Sequence, residues 1–344
     1  MRELVDLIDK DVARVVQAVD LSPLGGSSVL ITGASGLLGT YLLATMRRWI
    51  RETGRAIEIT AVTRDPPPPG LMGLFDDPNI RLTQVDLTAR DAVRTLPVVE
   101  NVIHAAGYGQ PGKFLENPIK TIQLNTGVTI DLLEQLPPSG RFLFLSSSEI
   151  YSGSPRLPHR EGDIGTTDPS HPRACYIEGK RCGEAICEAF RQQGRNAKSA
   201  RLALAYGPGT RPDDQRVLNS FIRRAVLEKR LVLQDRGAAR RTYCYVTDVI
   251  EMLLLILLRG REAVYNVGGR SSVTILELAH AVGRELGVPV SVPPAEAEAV
   301  GAPNEVSLDL SRVENEFDRR EYVSFEDGLH RTIEWQRHLY ELHG

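Results

Sequence analysis

Hydrophobic positions along this chain follow two alternating patterns, short continuous apolar runs and longer segments with helical spacing. The apolar runs lie at residues 29–32, 57–64, 80–85, 101–104 and 141–145, and helical segments follow the first, the fourth and the fifth of them. Short apolar runs bounded by polar or turn residues are typical of buried strands in parallel sheets. Repeated strand–helix units with right-handed connections predict an α/β fold built on a doubly wound parallel sheet.

Helical spacing also predicts elements outside these units. Residues 3–19 place apolar side chains on one face of a helix that precedes the sheet. This helix is expected to pack against the domain, and a contact with another subunit is the alternative role. The apolar run at 252–258 is much shorter than the ~20 residues of a membrane span and predicts a buried helix. A further helix is predicted over 272–286, and Trp335 lies on a final one.

The order of these elements predicts three parts. Residues 1–25 form an N-terminal helical extension, and residues 26–205 form the main domain, to which 242–268 return. Residues 206–241 and 269–344 form a smaller C-terminal substrate-binding lobe. A chain of 344 residues is long enough for this division, because a domain usually holds about 100–200 residues.

Three glycines interrupt the pattern directly after the first strand, in the sequence ITGASGLLG at 31–39. Gly33 and Gly36 let the backbone pass close to a pyrophosphate, and Gly39 lets the following helix pack closely on the strand. Free N–H groups in the first turn of that helix attract an anion. The position of the glycines between a strand and a helix therefore predicts a Rossmann-like dinucleotide site. The predicted cofactor contacts in this turn are Gly33, Ser35, Gly36, Leu37, Leu38 and Gly39.

The end of the second strand bears on which dinucleotide binds. An acidic side chain there bonds the adenosine ribose hydroxyls of NAD, whereas an arginine pairs with the 2′-phosphate of NADP. This chain has Thr63 and Arg64 at that end, with Asp65 one place later. The pair favours NADP and leaves NAD open.

Two further strand ends carry residues suited to the same cofactor. Asp86 is placed to accept a hydrogen bond from the adenine amine, and the small residues at 105–107 let the backbone lie against the dinucleotide. His104 is expected to be a packed strand-end histidine rather than a catalyst. The predicted cofactor contacts at these strand ends are Asp86, Leu87, Ala105, Ala106 and Gly107.

Composition narrows the classes of partner and compartment. The chain is 42% hydrophobic and 25% charged with a net charge of −3, which gives no reason to expect nucleic acid or a membrane as a partner. The four cysteines contain no C-x-x-C pair, so neither a disulfide framework nor a metal site is indicated. The charged, periodic N-terminus does not fit a signal peptide. We therefore expect a protein of a reducing, cytoplasmic compartment.

Candidate chemistry follows the fifth strand. Serines occupy 146–148, and Tyr176 and Lys180 are four residues apart on a predicted helix, so their side chains share one face. A cation beside a phenol favours phenolate, so we expect Lys180 to lower the pKa of Tyr176 from its usual value near ~10 and make it a base at neutral pH. The serine hydroxyls are placed to hold the substrate oxygen that loses its proton, while a nicotinamide accepts hydride from the same carbon.

Together these motifs resemble the extended short-chain dehydrogenase/reductase family, in particular its nucleotide-sugar epimerases, dehydratases and decarboxylases. The resemblance covers residues 27–270. It is carried by G-x-x-G-x-x-G at 33–39, D-L at 86–87, H-A-A at 104–106, the serine run, Y-x-x-x-K at 176–180 and Y-G-P at 206–208. The phrase PRACYIEGKR at 172–181 is most similar to UDP-glucuronate decarboxylases.

The resemblance implies roles for individual residues. Ser147 matches the catalytic Ser/Thr and Tyr176 the base, while Lys180 matches the partner that also bonds the nicotinamide ribose. Glu149 matches a glutamate that dehydratases and decarboxylases carry and that simple 4-epimerases generally lack. Ser148 stands where deoxysugar 4,6-dehydratases have an aspartate. The implied catalytic residues are Ser147, Glu149, Tyr176 and Lys180.

The predicted substrate contacts are Ser147, Ser148 and two arginines. Arg241 stands seven residues before the aspartate of the Y-V-x-D phrase, where the resemblance implies contact with the nucleotide diphosphate or the sugar. Arg216 lies in a polar loop before a helix, and arginine forks match phosphate geometry. Leu204 departs from the asparagine that many relatives place two residues before the Y-G-P tyrosine.

The reaction implied by the resemblance begins with oxidation of C4 of a nucleotide sugar by a tightly bound NAD or NADP. Loss of a C5 carboxylate or elimination of a C6 hydroxyl follows, with Glu149 as second acid/base, and the hydride then returns. The resemblance also implies a homodimer, paired through helices near 117–135 and 176–191. Three alternatives stay open: a 4-epimerase, a ketoreductase that uses free NADPH, and a binding or scaffold protein that has lost its chemistry.

Overall fold

The structure, a computed structural model, describes residues 2–293 and 305–341. Strands and helices alternate through most of the chain. The strands are β1 (Ser28–Thr32), β2 (Glu58–Thr63), β3 (Ile80–Gln84), β4 (Asn101–His104), β5 (Arg141–Ser147), β6 (Asn196–Leu202), β7 (Leu204–Tyr206), β8 (Leu231–Val232), β9 (Arg240–Tyr245), β10 (Val264–Val267), β11 (Ser271–Thr274) and β12 (Val290–Ser291).

The helices are distributed between the strands and at both ends of the chain. They are α1 (Arg2–Ala18), α2 (Leu37–Thr53), α3 (Met72–Phe75), α4 (Pro111–Glu116), α5 (Pro118–Asn125), α6 (Gly127–Gln135), α7 (Ala174–Gln192), α8 (Val217–Glu228), α9 (Val246–Arg259), α10 (Ile275–Leu286), α11 (Ser311–Phe317) and α12 (Phe325–Glu341).

Seven strands form one sheet in the order β3-β2-β1-β4-β5-β6-β10, and every neighbouring pair is parallel. The chain starts in the middle at β1, runs outward to β3, and crosses back to begin its second half at β4. The predicted Rossmann-like doubly wound sheet is confirmed. In such sheets a crevice opens at the carboxyl ends of the strands where the order reverses, here between β1 and β4, and ligands bind there.

Two small sheets lie outside the main one. β7 pairs in parallel with β9, β9 pairs antiparallel with β11, and β8 pairs with β12. The chain returns to the main sheet only after β9, because α9 packs against β5, β6 and β10 and β10 pairs with β6. The loop that follows β7 faces the carboxyl ends of the central strands from this second set of strands.

Helix α1 is part of the main core. Its apolar side chains Leu4, Ile8 and Val12 are fully buried, and it packs against α2, α9 and α12. The expectation that this helix packs against the domain is confirmed. The run at 252–258 lies within α9, where it is buried as predicted except for the half-buried Leu258, and no described helix is both long and apolar enough to cross a membrane.

Asp11 on α1 joins four elements through its buried carboxylate. It accepts hydrogen bonds from the Tyr41 hydroxyl of α2 at 2.8 Å and the Tyr245 hydroxyl of β9 at 2.6 Å. The Arg331 guanidinium of α12 pairs with its other oxygen at 2.7 Å. These three bonds connect α1 to α2, β9 and α12.

Two predicted helices differ from the structure. The helix predicted over 117–135 is divided into α5 and α6, because Thr126 between them has φ −118° and ψ −80°. The helix predicted over 272–286 starts only at Ile275, because the preceding four residues pair with β9 as β11. Thr274 and Glu277 form a capping box at this start, and the T-x-x-E pattern at 274–277 was the available signal.

Candidate active site

A cleft of about 410 Å³ lies at the carboxyl ends of the central strands. Every residue predicted to contact the cofactor lines it, from the glycine turn to Lys180. Ser147, Ser148, Glu149 and Arg216 also line it, whereas Arg241 does not. The fold therefore brings residues that are widely spaced in sequence into one continuous wall.

The glycine turn has the shape of a cradle for an anion. Gly33 has φ +68°, and a Cβ there would lie 2.8 Å from the Ala105 carbonyl oxygen. A Cβ on Gly39 would lie 2.4 Å from the Gly33 carbonyl oxygen, so no larger residue fits at either position. Gly36 caps α2 without a side-chain hydrogen bond, and the first turn of α2 holds no acidic residue. The free N–H groups and the helix dipole fit the pyrophosphate of a dinucleotide.

The side chains that decide between NAD and NADP bind each other. Arg64 donates two hydrogen bonds to Asp65, at 2.6 and 2.9 Å, and a third to the Tyr108 hydroxyl at 2.7 Å. The hydrogen bonds from Arg64 lower the pKa of Asp65, so the carboxylate is ionised at neutral pH. The guanidinium that favoured NADP is thus already neutralised by Asp65. Thr63 beside it is buried, and its hydroxyl has no hydrogen-bond partner among the described residues.

Asp86 is an ionised acceptor at the end of β3. Its carboxylate pairs with Lys120 at 2.8 Å and accepts the Thr88 hydroxyl at 2.7 Å. These hydrogen bonds lower the pKa of Asp86 to about 2. The site thus offers the charged oxygens that an adenine amine or a ribose hydroxyl needs.

His104 is a packed, neutral histidine, as predicted. Its Nδ1 lies 2.7 Å from the Thr32 hydroxyl and its Nε2 lies 2.8 Å from the Leu124 carbonyl oxygen. Burial lowers the pKa of His104 to about 4. The neutral ring therefore donates from Nε2 and accepts at Nδ1. The Thr32 hydroxyl in turn accepts from the Ala106 N–H at 3.0 Å, so this relay fixes the strand end that faces the cofactor.

Tyr176 and Lys180 lie on one face of α7, opposite the end of β5. The Tyr176 ring stacks on Phe114 of α4 with the centroids 4.7 Å apart. The Lys180 amine donates to the Leu145 carbonyl oxygen at 2.6 Å, and it lies 5.8 Å from the centroid of the Tyr176 ring. The predicted trio of Ser147, Tyr176 and Lys180 therefore occupies one side of the cleft.

The expected effect of Lys180 on Tyr176 is wrong for this structure. Burial and, after it, the charge of Glu149 raise the pKa of Tyr176 to about 12, although Ser147 and two arginines oppose the rise. Burial also lowers the pKa of Lys180 to about 7. The loss of hydration outweighs a cation that points at a backbone carbonyl rather than at the phenol.

Glu149 is bound by an arginine that the sequence interpretation did not single out. Arg173, the residue before α7, donates from Nε to the Glu149 carboxylate at 3.0 Å and from Nη2 to its other oxygen. Its guanidinium lies 5.4 Å from the centroid of the Phe114 ring, which stacks on Tyr176. Both side chains of the pair are less than one-third exposed. Glu149 is therefore held beside Tyr176 by contacts from Arg173 to both of its carboxylate oxygens.

The two arginines predicted to contact the substrate differ in their position relative to the cleft. Arg216 binds the buried carboxylate of Asp214 with contacts at 2.6 and 3.0 Å, and it lines the cleft. Arg241 is half-buried on β9, and burial together with the charge of Arg173 lowers its pKa. The charges of Arg173 and Arg216 both act on Tyr176. The predicted role of Arg241 in substrate binding stays a prediction.

Comparison with known proteins decides the family. The model of the NAD dependent epimerase/dehydratase family matches residues 29–268, which span the main sheet and all the groups described above. The chain belongs to this family. The predicted membership and the predicted enzyme class are confirmed, and NAD is the cofactor that the family's description names.

Individual relatives of this family differ in the reaction that their names state. UDP-glucuronic acid decarboxylase 5 of Arabidopsis thaliana is 31% identical over 258 residues, which cover 74% of this chain and 73% of that protein. dTDP-4-dehydro-6-deoxy-D-allose reductase of a Streptomyces species is 29% identical, with 91% of this chain and 97% of that protein covered. The solved structure of MoeE5 in complex with UDP-glucose and NAD has a TM-score of 0.73 and 25% identity, covering 91% and 99% of the two chains.

Three residues near the cleft were not predicted as site residues, although their spacing in the sequence relates them to predicted ones. Arg173 precedes Tyr176 by three residues, a spacing that puts both on one side of a helix start. Glu184 follows Lys180 by four residues and binds the Ser146 hydroxyl and Arg201. Arg211 lies five residues before Arg216 in the same polar loop. Phe114 had no such signal, because only the folded chain brings α4 against α7.

Proposed function

We propose that this protein oxidises C4 of a nucleotide-activated uronic acid with a tightly bound NAD and then removes the C5 carboxylate, as a UDP-glucuronate decarboxylase does. The observation that carries the proposal is the position of Glu149. It lies in the cleft with Ser147 and Tyr176 and is held there by Arg173. Decarboxylation and dehydration need this second acid/base, whereas simple 4-epimerisation does not.

In the first stage Ser147 and Tyr176 handle the sugar hydroxyl. The Ser147 hydroxyl donates a hydrogen bond to the C4 oxygen, and Tyr176 accepts the proton that this oxygen loses. The bound NAD supplies the hydride acceptor and, at the end, the hydride donor. Lys180 lies within the same wall, where its amine is held by the Leu145 carbonyl oxygen.

In the second stage the C4 ketone accepts electrons. When the C5 carboxylate leaves as CO2, the electron pair of the broken bond moves into an enolate whose oxygen stays with Ser147 and Tyr176. A proton must then reach C5, and Glu149 is the acid/base group placed to relay it. Arg173 keeps the Glu149 carboxylate in position for this transfer, because its two donors fix both oxygens.

The test uses the purified protein with UDP-glucuronate, UDP-glucose and dTDP-glucose as separate substrates. We expect CO2 and a UDP-pentose from UDP-glucuronate, measured by CO2 capture and NMR of the product. Glu149→Gln should still reduce the bound NAD but form the UDP-pentose roughly 100-fold more slowly, a factor typical of a lost acid/base. A Glu149→Gln protein that interconverts C4 epimers at the normal rate would instead support 4-epimerisation and refute decarboxylation.

A reductase that uses free NADPH is the second candidate. The similarity to a dTDP-4-dehydro-6-deoxy-D-allose reductase over 91% of this chain supports it, as does Arg64 at the end of β2. The pair formed by Arg64 and Asp65 supports NAD instead, because the guanidinium is already bound. Stoichiometric consumption of added NADPH with a 4-keto sugar, and no bound nucleotide after purification, would favour the reductase.

We also propose a homodimer paired through α5 and α7. These helices pack side by side, and α5 exposes Ile119 and Ile122. The adjoining face of α7 exposes Cys182, Ala185 and Ala189, which are small enough for close approach of another helix. A second copy of the chain would cover both faces at once.

A further inference from the structure

A loop that follows β7 contacts the glycine turn at residues 31–39. It spans 207–216, between β7 and α8, and lines the cleft through Gly209, Thr210 and Arg211. The Arg211 guanidinium donates to the Ser35 hydroxyl at 3.0 Å and lies 3.5 Å from the Ser35 carbonyl oxygen. Ser35 belongs to the glycine turn whose helix N-terminus has no capping side chain. Arg211 therefore lies at the place where the dinucleotide pyrophosphate must bind.

The loop is fixed from both sides. Behind it, the indole N–H of Trp335, a fully buried residue of α12, donates to the Thr210 carbonyl oxygen at 3.1 Å. In front, Asp213 pairs with Lys113 of α4 at 2.9 Å across the cleft. Arg211 thus projects from an anchored segment and loses little freedom when it binds a ligand.

The charges around Arg211 distinguish it from the other arginines of the cleft. Arg64 is bound by Asp65 and Arg216 by Asp214, each with contacts of 2.6 Å. No carboxylate within residues 2–293 and 305–341 forms an ion pair with Arg211, whose hydrogen bonds go to the neutral Ser35. A planar guanidinium with free donors beside an uncapped helix end matches the geometry of a phosphate.

We propose that Arg211 is a ligand of the dinucleotide pyrophosphate, and that it makes retention of NAD dependent on the 207–216 loop. This inference rests on the proposed binding of a dinucleotide in the cleft and assigns to that cofactor a ligand outside the main domain. The phosphate then receives backbone N–H groups from α2 on one side and a guanidinium from the loop on the other. NAD would then leave only after Arg211 releases the phosphate.

The experiment compares Arg211→Gln and Arg211→Lys with wild type and with Arg230→Gln, a matched change at an exposed arginine of the same layer. Nucleotide is removed and the dissociation constants of NAD, ADP-ribose and adenosine are measured by titration calorimetry. Arg211→Gln should bind NAD and ADP-ribose about 10 to 100 times more weakly, as expected for one charged hydrogen bond to phosphate. Adenosine, which has no phosphate, should bind unchanged, and Arg211→Lys should lie between Arg211→Gln and wild type.

Two results would overturn the inference. One is equal affinity of Arg211→Gln and wild type for ADP-ribose. The other is an equal loss for adenosine, which would mean that the loop shapes the cleft without contacting phosphate. Circular dichroism and thermal unfolding of each variant separate a folding defect from weaker binding. The proposed reaction is tested apart from this, because wild type that binds NAD but leaves UDP-glucuronate unchanged would refute the reaction and leave the role of Arg211 standing.

Discussion

At the scale of single residues, the charge state of Tyr176 depends on neighbours of opposite sign. Its pKa is raised to about 12 by burial and by the charge of Glu149, and the charges of Arg173 and Arg216 oppose this rise. Glu149 and Arg173 bind each other, so their effects on the phenol largely cancel while the pair is intact. Removal of the Glu149 charge should lower the pKa of Tyr176, and removal of the Arg173 charge should raise it.

The first prediction concerns the pH dependence of C4 oxidation. A base acts only after losing its own proton, so the rate should rise with pH through the pKa of Tyr176. Glu149→Gln removes a negative charge and should move this rise to lower pH, whereas Arg173→Gln should move it to higher pH. The measurement is kcat/KM for reduction of the bound NAD across pH, with Glu188→Gln on the exposed side of α7 as control. Shifts of the two variants in the same direction would contradict the prediction.

The second prediction concerns stability and Lys180. Its pKa is lowered by burial from 10.5 to about 7, so between these values the unfolded chain holds a proton that the folded protein has lost. The destabilisation that the buried Lys180 causes therefore becomes smaller as pH rises across that window. Lys180→Met should stabilise the protein most at and below about pH 7, and the gain should shrink by roughly 4 to 5 kcal/mol toward pH 10.5.

Urea denaturation at a series of pH values measures this effect. Lys10→Met, at an exposed position of α1, is the control and should show no such trend. A stability difference between Lys180→Met and wild type that stays constant with pH would mean that the amine is not buried as described.

Spacing in the sequence located these residues, and burial decided their chemistry. Tyr176 and Lys180 were found because a helix places residues four apart on one face, and Ser147 because parallel strands end together. Their pKa values could not be predicted, because Phe114 and the Arg173 side chain reach the site from elements whose docking is a property of the folded chain.

At the scale of elements, α1 is held by a buried carboxylate as well as by its apolar face. Asp11 serves two tyrosine hydroxyls and one guanidinium from three different elements. The 3.6-residue repeat predicted the helix and its apolar face correctly, but Asp11 lay outside that pattern and its partners come from residues far along the chain. The start of α10 was missed for a similar reason, because pairing of β11 with β9 overrides local helical spacing.

The third prediction follows from Asp11. Asp11→Ala leaves the Tyr41 and Tyr245 hydroxyls buried without their acceptor and the Arg331 charge without its partner, at a cost of about 2–4 kcal/mol. The free energy of unfolding in urea is the measurement. Asp6→Ala, at an exposed position of the same helix, should change it by less than about 0.5 kcal/mol. Equal effects of the two substitutions would show that the carboxylate does not hold α1.

At the scale of the whole molecule, the doubly wound parallel sheet and a dinucleotide site at its strand ends could be predicted, because each strand–turn–helix unit carries its own pattern and right-handed crossovers leave few arrangements. The second layer could not, because β7, β9 and β11 pair across long sequence separations and are only three to six residues long. Arg173 and Arg211, which were not predicted as site residues, lie where the two layers meet.

The fourth prediction concerns assembly. Ile119 is 66% exposed at the centre of the proposed dimer face, so Ile119→Glu should convert a wild-type dimer to monomer in light-scattering measurements. Leu227→Glu is the matched control, because Leu227 is 61% exposed and lies on α8, which packs against α10, α12 and β8. A monomeric wild type, or a dimer that persists in Ile119→Glu, would refute pairing through this face.

The bond between Asp11 and Arg331 joins residues 320 positions apart in the chain. During synthesis on a ribosome, the carboxylate of α1 emerges long before α12, so it waits for its last partner. A nascent chain arrested before α12 would keep the Asp11 charge beside Tyr41 without that counter-ion. Formation of this contact is therefore coupled to translation of α12.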